Sequence, residues 1–516
     1  RYFAVGVVYG GLPATIYGLF LGYFNVESYV YGTAGTIISL PWSFKFIFGA
    51  INDCIPIYGY RRKSYMVLGW ALCAFALVCL WARELPPPYW CVGKEGYNDD
   101  GSFSLHVAHP CNAAAATSGA PYALLMMLAS CGYCIADVAA DGLTVTMARH
   151  EKVGSKGQTQ TSVYLMRTMG NIVSVCFVGL GMNSWEYNGS FDWGLSFNAM
   201  CAVFSVPALV MIPVSWYFVY EEPILPKYAF RRAALGPQQS PAYPKYYAKG
   251  VWGLLRSKAM LHVLLYQLLT PVIGGIFTTG SAEVKQHWAG VKNLQSSIFS
   301  LVGLVLFTLG LWLVKAKFLD KSWRVMLLST TLFLNVLDMP FSFLTIFGVV
   351  RNQYFYLGEA VLSEVPAAIN FVVSTFVIVE MADGGDEGLV YGLLTTTNNL
   401  GAPVAQAISN QLFGLFRPSL SNSQNYLDDT LSFRKLVALS FAISYGATFV
   451  SLAFLPLLPD QRADAQHRKR TRAAADGYAM ISITLVTLGL LYSVTCSFLT
   501  IYPATMCLRF VGGEGC

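Results

Sequence analysis

Apolar runs of about 20 residues, the length that carries an α-helix across a bilayer, recur along nearly the whole chain. They predict spanning helices at roughly 3–23, 31–51, 64–82, 121–147, 158–182 and 195–219, and again at 259–280, 294–314, 324–347, 354–380, 388–416 and 433–458. A thirteenth apolar stretch, about 479–503, follows the basic run Arg468-Lys469-Arg470-Thr471-Arg472. Between the sixth and seventh runs the pattern stops. Residues 220–258 are polar and carry Pro223, Pro226, Pro237, Pro241 and Pro244, which oppose a packed helix. The expectation is an all-α polytopic membrane protein with 12 transmembrane helices as 6+6, and one further C-terminal span. Residues 1–219 and 259–458 would form the six-helix halves and 220–258 a cytoplasmic linker. Residues 459–516 would hold a basic cytoplasmic segment and the extra span.

Composition strengthens this picture. Of 516 residues 55% are hydrophobic and 12% charged, whereas a soluble domain carries about 25% charged residues. The deficit excludes a string of soluble domains and fits a surface that faces lipid. The net charge of +6 is modest, and its placement is informative. Of the 34 Lys and Arg, 23 fall on the side of the N-terminus and 9 on the other, with Lys45 and Arg167 inside spans. The positive-inside rule therefore puts the N-terminus in the cytoplasm. No basic patch alternates with polar folded sequence, so nucleic acid is not an expected partner. Residue 1 is Arg and the first span begins at once, which predicts a trimmed N-terminus.

Several local patterns carry little. Most of the twelve cysteines sit in apolar runs, where Cys acts as a small hydrophobe. Only Cys91 and Cys111 share a long polar loop, the outer segment 83–119, where a disulfide could form. Cys131-Gly132-Tyr133-Cys134 has redox spacing but lies in a span, which points to packing. The six His residues form no i, i+4 ligand pair, so no metal is expected. No cofactor is expected either. The outer sequon Asn188-Gly189-Ser190 sits too close to its flanking spans to expect modification.

The inner loop after the second run reads Gly49-Ala50-Ile51-Asn52-Asp53-Cys54-Ile55-Pro56-Ile57-Tyr58-Gly59-Tyr60-Arg61-Arg62-Lys63. A small residue, an acid at a helix end, a glycine turn and a basic cluster make a tight hairpin, with Gly49, Asp53, Gly59, Arg61 and Arg62 as its key positions. This resembles the signature of the major facilitator superfamily, and its longer form resembles the folate–biopterin transporter family. Pro41-Trp42-Ser43-Phe44-Lys45, Ala136-Asp137-Val138-Ala139-Ala140-Asp141-Gly142-Leu143 and the opening residues 2–11 are similar to stretches of the same family. The likeness covers most of residues 1–458, with its sharp motifs in the first half. It implies the major facilitator fold and transport of folates, pterins or related metabolites such as S-adenosylmethionine.

Ionisable residues at bilayer depth are costly unless paired or facing water, which makes them the candidate site. Asp137 and Asp141, four apart, share a helix face. They read either as a proton carrier or acceptor pair, or as structural partners of Lys45 or Arg167. Lys45 is close enough to the inner end of its span for its stem to snorkel to the interface. Arg167 lies about 13 Å deep by helical rise, where its fork suits a carboxylate of the substrate or of Asp137. Glu359 and Glu364 fall on the tenth span and are candidates for the cavity wall. Asp338, before Pro340, reads as a helix-break residue. These five acids face two bases, and the excess calls for protons, further cations or a cationic ligand. Thr395-Thr396-Thr397-Asn398-Asn399 in the eleventh span reads as path lining or as interhelical hydrogen bonding.

The resulting expectation is a secondary transporter, not an enzyme, moving a folate, biopterin or related pteridine by alternating access with protons as the coupling ion. Lys45, Asp137, Asp141, Arg167, Glu359 and Glu364 are its substrate-binding or coupling candidates. The alternatives are a carrier of a cationic metabolite and a non-transporting receptor on the same fold. The plasma membrane is preferred to an organelle membrane.

Overall fold

The computed structural model describes residues 1–90, 110–149, 158–221, 243–317, 321–381, 387–471 and 474–516. Each predicted run falls on a helix, and among the described residues no strand forms beyond isolated bridges. The chain opens with α1 (Tyr2–Ile16), which widens into a π-helical stretch at Tyr17–Tyr23. The second run is split. α2 (Ser28–Ser39) passes through a 3₁₀ turn, Leu40–Phe44, into α3 (Lys45–Cys54). Pro41 lacks an N–H and disrupts regular winding, so the turn tightens there. α4 (Lys63–Ala82), α5 (Ala120–Arg149), α6 (Gln158–Gly181) and α7 (Phe197–Phe218) follow.

Part of the segment expected to be a linker, whose prolines oppose a packed helix, is helical. α8 (Tyr243–Leu255) forms there despite Pro244. That proline occupies the first turn, where a missing N–H costs nothing. α9 (Lys258–Gly274) is followed by the short α10 (Ser281–Glu283) and a π-helical turn at Val284–Trp288. Next come α11 (Asn293–Lys317) and α12 (Trp323–Ile346). The tenth run is broken into α13 (Gln353–Leu362) and α14 (Glu364–Met381). Pro366 has no N–H to offer the Leu362 carbonyl, so the helix restarts at Glu364. α15 (Glu387–Phe413), α16 (Ser423–Asp428), α17 (Leu431–Ser451), α18 (Arg462–Arg470) and α19 (Asp476–Ile501) complete the chain.

Nine helical segments among the described residues are long and apolar enough to cross a membrane, and Leu165–Gly181 and Lys258–Gly274 are shorter apolar pieces. Large apolar side chains stay exposed at helical spacing, as at Val203, Val206 and Val210 on α7. Lipid is the solvent that suits such a face. Inside, one core draws mainly on residues from Ala4 to Met211, and others on residues from Leu255 to Ala479 and from Val284 to Tyr445.

Small residues let the helices approach. A Cβ added at Gly6 would lie 2.0 Å from the Arg167 carbonyl oxygen, and one at Gly132 would lie 2.4 Å from the Cys73 nitrogen. Cys131 and Cys134 are free thiols on this packed face. α19 does not stand apart from the bundle: Tyr492 donates to Gln411 Oε1 of α15 at 2.8 Å. Beyond it, Tyr29 of α2 donates to the Met506 carbonyl at 2.9 Å. A disulfide with no forewarning in the apolar pattern closes Cys507 onto Cys516. It lies on the end that the charge count places outside, where disulfides persist. Cys111 is also disulfide-bonded, while Cys91 lies outside the described residues.

Candidate functional site

Two carboxylates and two cations meet near mid-bundle. The four-residue spacing brings Asp137 and Asp141 onto one face of α5, and the 3₁₀ turn delivers Lys45 at the start of α3. Lys45 Nζ donates to Asp141 Oδ2 at 2.7 Å and to Asp137 Oδ2 at 3.3 Å. Arg167 Nη1 lies 3.9 Å from Asp137 Oδ2. Its guanidinium rests against the rings of Tyr9 and Trp42, at 4.6 and 4.9 Å from their centroids. Tyr2 donates to Asp141 Oδ1 at 3.2 Å. The snorkelling expected of Lys45 does not occur: its ammonium is turned inward by the two carboxylates, and the residue is 9% exposed. With formal charges of two against two, the quartet is neutral, which is how ionised groups persist at this depth.

The inner hairpin leans on the same helix. Tyr58 and Gly59 adopt φ of 53° and 80° to make the turn, and glycine carries such a φ without strain. Arg62 Nη2 donates to Asp53 Oδ1 at 2.8 Å. Its guanidinium also lies over Gly142, where a Cβ would fall 0.9 Å from Nη1. A side chain there, one position beyond Asp141, would have to displace the Arg62 guanidinium. The backbone N–H groups of Arg61, Arg62 and Lys63 all donate to the Glu221 carboxylate, at 2.8–3.1 Å. An anion at the N-terminus of α4 is favoured by the unpaired amides and the helix dipole. Nothing in the sequence pattern singles out Glu221 for this task. Gly49 lies in α3, with Val138 of α5 as the nearest neighbour a Cβ would meet.

A cavity of about 510 Å³ opens between the early and late helices. Its walls are aromatic, with Tyr9, Tyr17, Tyr31, Trp42 and Tyr133, and two ionisable residues line it, Lys285 and Glu364. By its place in the sequence Lys285 counts with the outer loop. The π-helical turn at Val284–Trp288 directs it inward instead, where Nζ donates to Ser296 Oγ at 2.9 Å and lies 4.6 Å from the Tyr17 ring centroid. Glu364, at the head of α14, rests beside Gly303 of α11. Among the described residues neither Lys285 nor Glu364 has an ion-pair partner. Glu359 lies on α13, its side chain outside the described ones.

The count of five acids against two bases grows to six against three, with the same excess of acids. Lys285 adds a base. Glu283 adds a buried acid, which accepts from Ser28 Oγ at 2.6 Å and lies 3.2 Å from His287 Nε2. Asp338 does not break its helix, since α12 runs on through Pro340. It accepts instead from Tyr445 at 2.6 Å and Ser342 at 3.1 Å. Two side chains of the polar run in α15 stitch helices together. The Phe46 N–H donates to Thr396 Oγ1 at 2.8 Å, and Asn399 Nδ2 to the Trp42 carbonyl at 3.3 Å. The Trp42 carbonyl lies within the turn that Pro41 imposes on the second run, and Phe46 lies just beyond it.

At the end that the charge count expects to be outer, hydrogen bonds close the cavity. Tyr17 donates to the Val291 carbonyl at 2.6 Å, Asn188 Nδ2 to the same oxygen at 3.2 Å, and Asn293 Nδ2 to the Met182 carbonyl at 2.6 Å. The sequon amide at Asn188 is thus engaged in this closure.

The helical bundle that holds this charged quartet and cavity has the major facilitator fold. The fold is similar to that of a crystal structure of a D-xylose-proton symporter, with TM-score 0.54 and 11% identity, covering 89% of this chain and 97% of that one. The chain belongs to the BT1 family, whose sequence model matches residues 6–85 and 111–476. It is 23% identical over 446 residues to a protein of Synechocystis sp. named folate-biopterin transporter, covering 85% of this chain and 76% of that one. Over 43 residues, 8% of each chain, it is 51% identical to folate transporter 1 of Plasmodium falciparum. The family and fold are those of transporters, which are not enzymes, and the protein is integral to a membrane with multiple passes.

Proposed function

We propose that the protein moves a folate, biopterin or related pteridine through the central cavity by alternating access, coupled to protons. The observation that carries this reading is the aromatic cavity with Glu364 and Lys285 on its wall. A volume of about 510 Å³ is within the usual range for small-molecule sites, roughly 300–1,000 Å³. Flat rings such as Trp42 and Tyr133 offer stacking surfaces to a pteridine, and a carboxylate accepts the paired N–H groups of its pyrimidine edge. The names of the relatives point to the same substrates. Residues 1–219 and 259–458 act as two halves that rock about this cavity, with residues 220–258 joining them on the cytoplasmic side. In that cycle the outer bonds of Tyr17, Asn188 and Asn293 open, and the quartet of Lys45, Asp137, Asp141 and Arg167 holds the first half together. The carboxylates that face or border the path carry the coupling proton.

The test is uptake of labelled folate, biopterin and S-adenosylmethionine by cells that express the chain. Uptake of either pteridine above vector controls supports the reading. Uptake of S-adenosylmethionine alone would replace it with the cationic-metabolite alternative, and uptake of none by well-expressed protein would favour the receptor alternative.

A further inference from the structure

Lys45 and Arg167 are the cations that a substrate carboxylate was expected to meet, and both already face Asp137. Lys285 is differently placed. It reaches the cavity from the outer end, and its neighbours are a hydroxyl, Ser296, and a ring, Tyr17. These solvate an ammonium without neutralising it. A cation held in the interior of a membrane protein without a counter-charge is costly, and such groups are retained where something arrives to pair with them.

Glu364 gives the cavity its second pole. Lys285 contacts Ser296 and Glu364 rests beside Gly303, both on α11. Those two positions are seven apart, about 10 Å along the helix axis. The lysine is therefore at the outer level, just beneath the closing bonds, and the glutamate lies about two turns deeper. The same cavity is lined by aromatic residues such as Tyr31 and Trp42, and by Ser300.

We propose that Lys285 and Glu364 form a polar axis that seats an elongated, carboxylate-bearing pteridine, with its carboxylate on Lys285 and its ring N–H groups on Glu364. This rests on the pteridine reading above and adds a preference within it: an anionic conjugate is taken over a pterin without an acid tail. The arrival of the carboxylate neutralises Lys285 next to Tyr17, so occupancy is sensed at the residue that closes the outer end.

The experiment compares initial uptake of folate and biopterin by the full chain in proteoliposomes. Only folate carries the carboxylate that Lys285 would hold by a charge-assisted hydrogen bond. Lys285→Met should therefore lower the folate-to-biopterin ratio about 10- to 100-fold, and Lys285→Arg should restore most of it. A purely structural lysine, holding Ser296 to the π-helical turn, would reduce both substrates alike, and an unchanged ratio in Lys285→Met overturns the proposal. Should that variant fail to fold, competition on the unmodified protein decides. 4-Aminobenzoyl-glutamate should block folate uptake and its neutral diamide should not, while equal block by both overturns the proposal. If the unmodified protein takes up neither folate nor biopterin, the pteridine reading itself fails and the axis falls with it.

Discussion

The ammonium of Lys45, a residue 9% exposed, lies 2.7 Å from Asp141 Oδ2, joining the second and fourth predicted spans. Because the same nitrogen also serves Asp137, which is fully buried, the lysine acts as a bridge between carboxylates that would otherwise repel each other.

Removing one partner of a buried ion pair leaves an uncompensated charge and costs about 3–5 kcal/mol. Lys45→Met should therefore lower the thermal midpoint of the purified protein sharply. The double variant Lys45→Met/Asp141→Asn should be less destabilised than Lys45→Met alone, because the two changes share one interaction. Additive losses of stability would show that the pair contributes nothing of its own.

Arg167 is held by shape as well as charge. Its guanidinium is packed against Tyr9 and Trp42, and each such interaction is worth about 0.5–2 kcal/mol. Arg167→Lys keeps the charge but removes the planar stack. It should insert normally yet melt at a lower temperature. Arg167→Ala should be worse, and Asp137→Asn should partly rescue it by removing the stranded acid. A well-expressed Arg167→Ala with an unchanged melting temperature would contradict this placement.

Much of this arrangement was legible in the chain. The long apolar runs mark the helices, and the spacing of Asp137 and Asp141 marks their shared face. The hairpin at residues 49–63 announces a tight inner turn, though not that Gly142 would be the landing point of Arg62. Other features depend on three-dimensional closure. Lys285 follows a break in the seventh run, and nothing local says whether such a residue turns out to solvent or inward. Glu221 ends a span and looks like the first residue of a polar linker. Yet three backbone amides, 158–160 residues earlier in the chain, converge on it through the fold. The Cys507–Cys516 bridge follows from the compact turn after α19, which composition alone does not reveal.

In the turn before α17, Asp429 accepts from Arg351 at 2.7 and 2.9 Å and from Arg434 Nε at 2.8 Å. Partial burial raises its pKa, but the hydrogen bonds and charges of Arg351 and Arg434 outweigh this and hold it below the ordinary value of 3.8. A depressed folded-state pKa contributes stability that is present above the unfolded value and is lost as pH falls through the folded one. The gap in melting temperature between the unmodified protein and Asp429→Asn should therefore be full at pH 7 and shrink only below about pH 3.8. A gap that is constant down to about pH 3 would mean that the carboxylate's charge is not what stabilises the turn.

Transport of a pteridine with the energy of a proton gradient is tested most directly in proteoliposomes with an imposed pH difference. With the proton gradient directed the same way as the substrate, folate or biopterin should accumulate above its external concentration, and a protonophore should abolish the accumulation. Glu364→Gln should remove accumulation more than it removes exchange of substrate across the membrane. Substrate that merely equilibrates, whatever gradient is imposed, would contradict proton coupling, and liposomes no more permeable to either pteridine than protein-free ones would contradict the account as a whole.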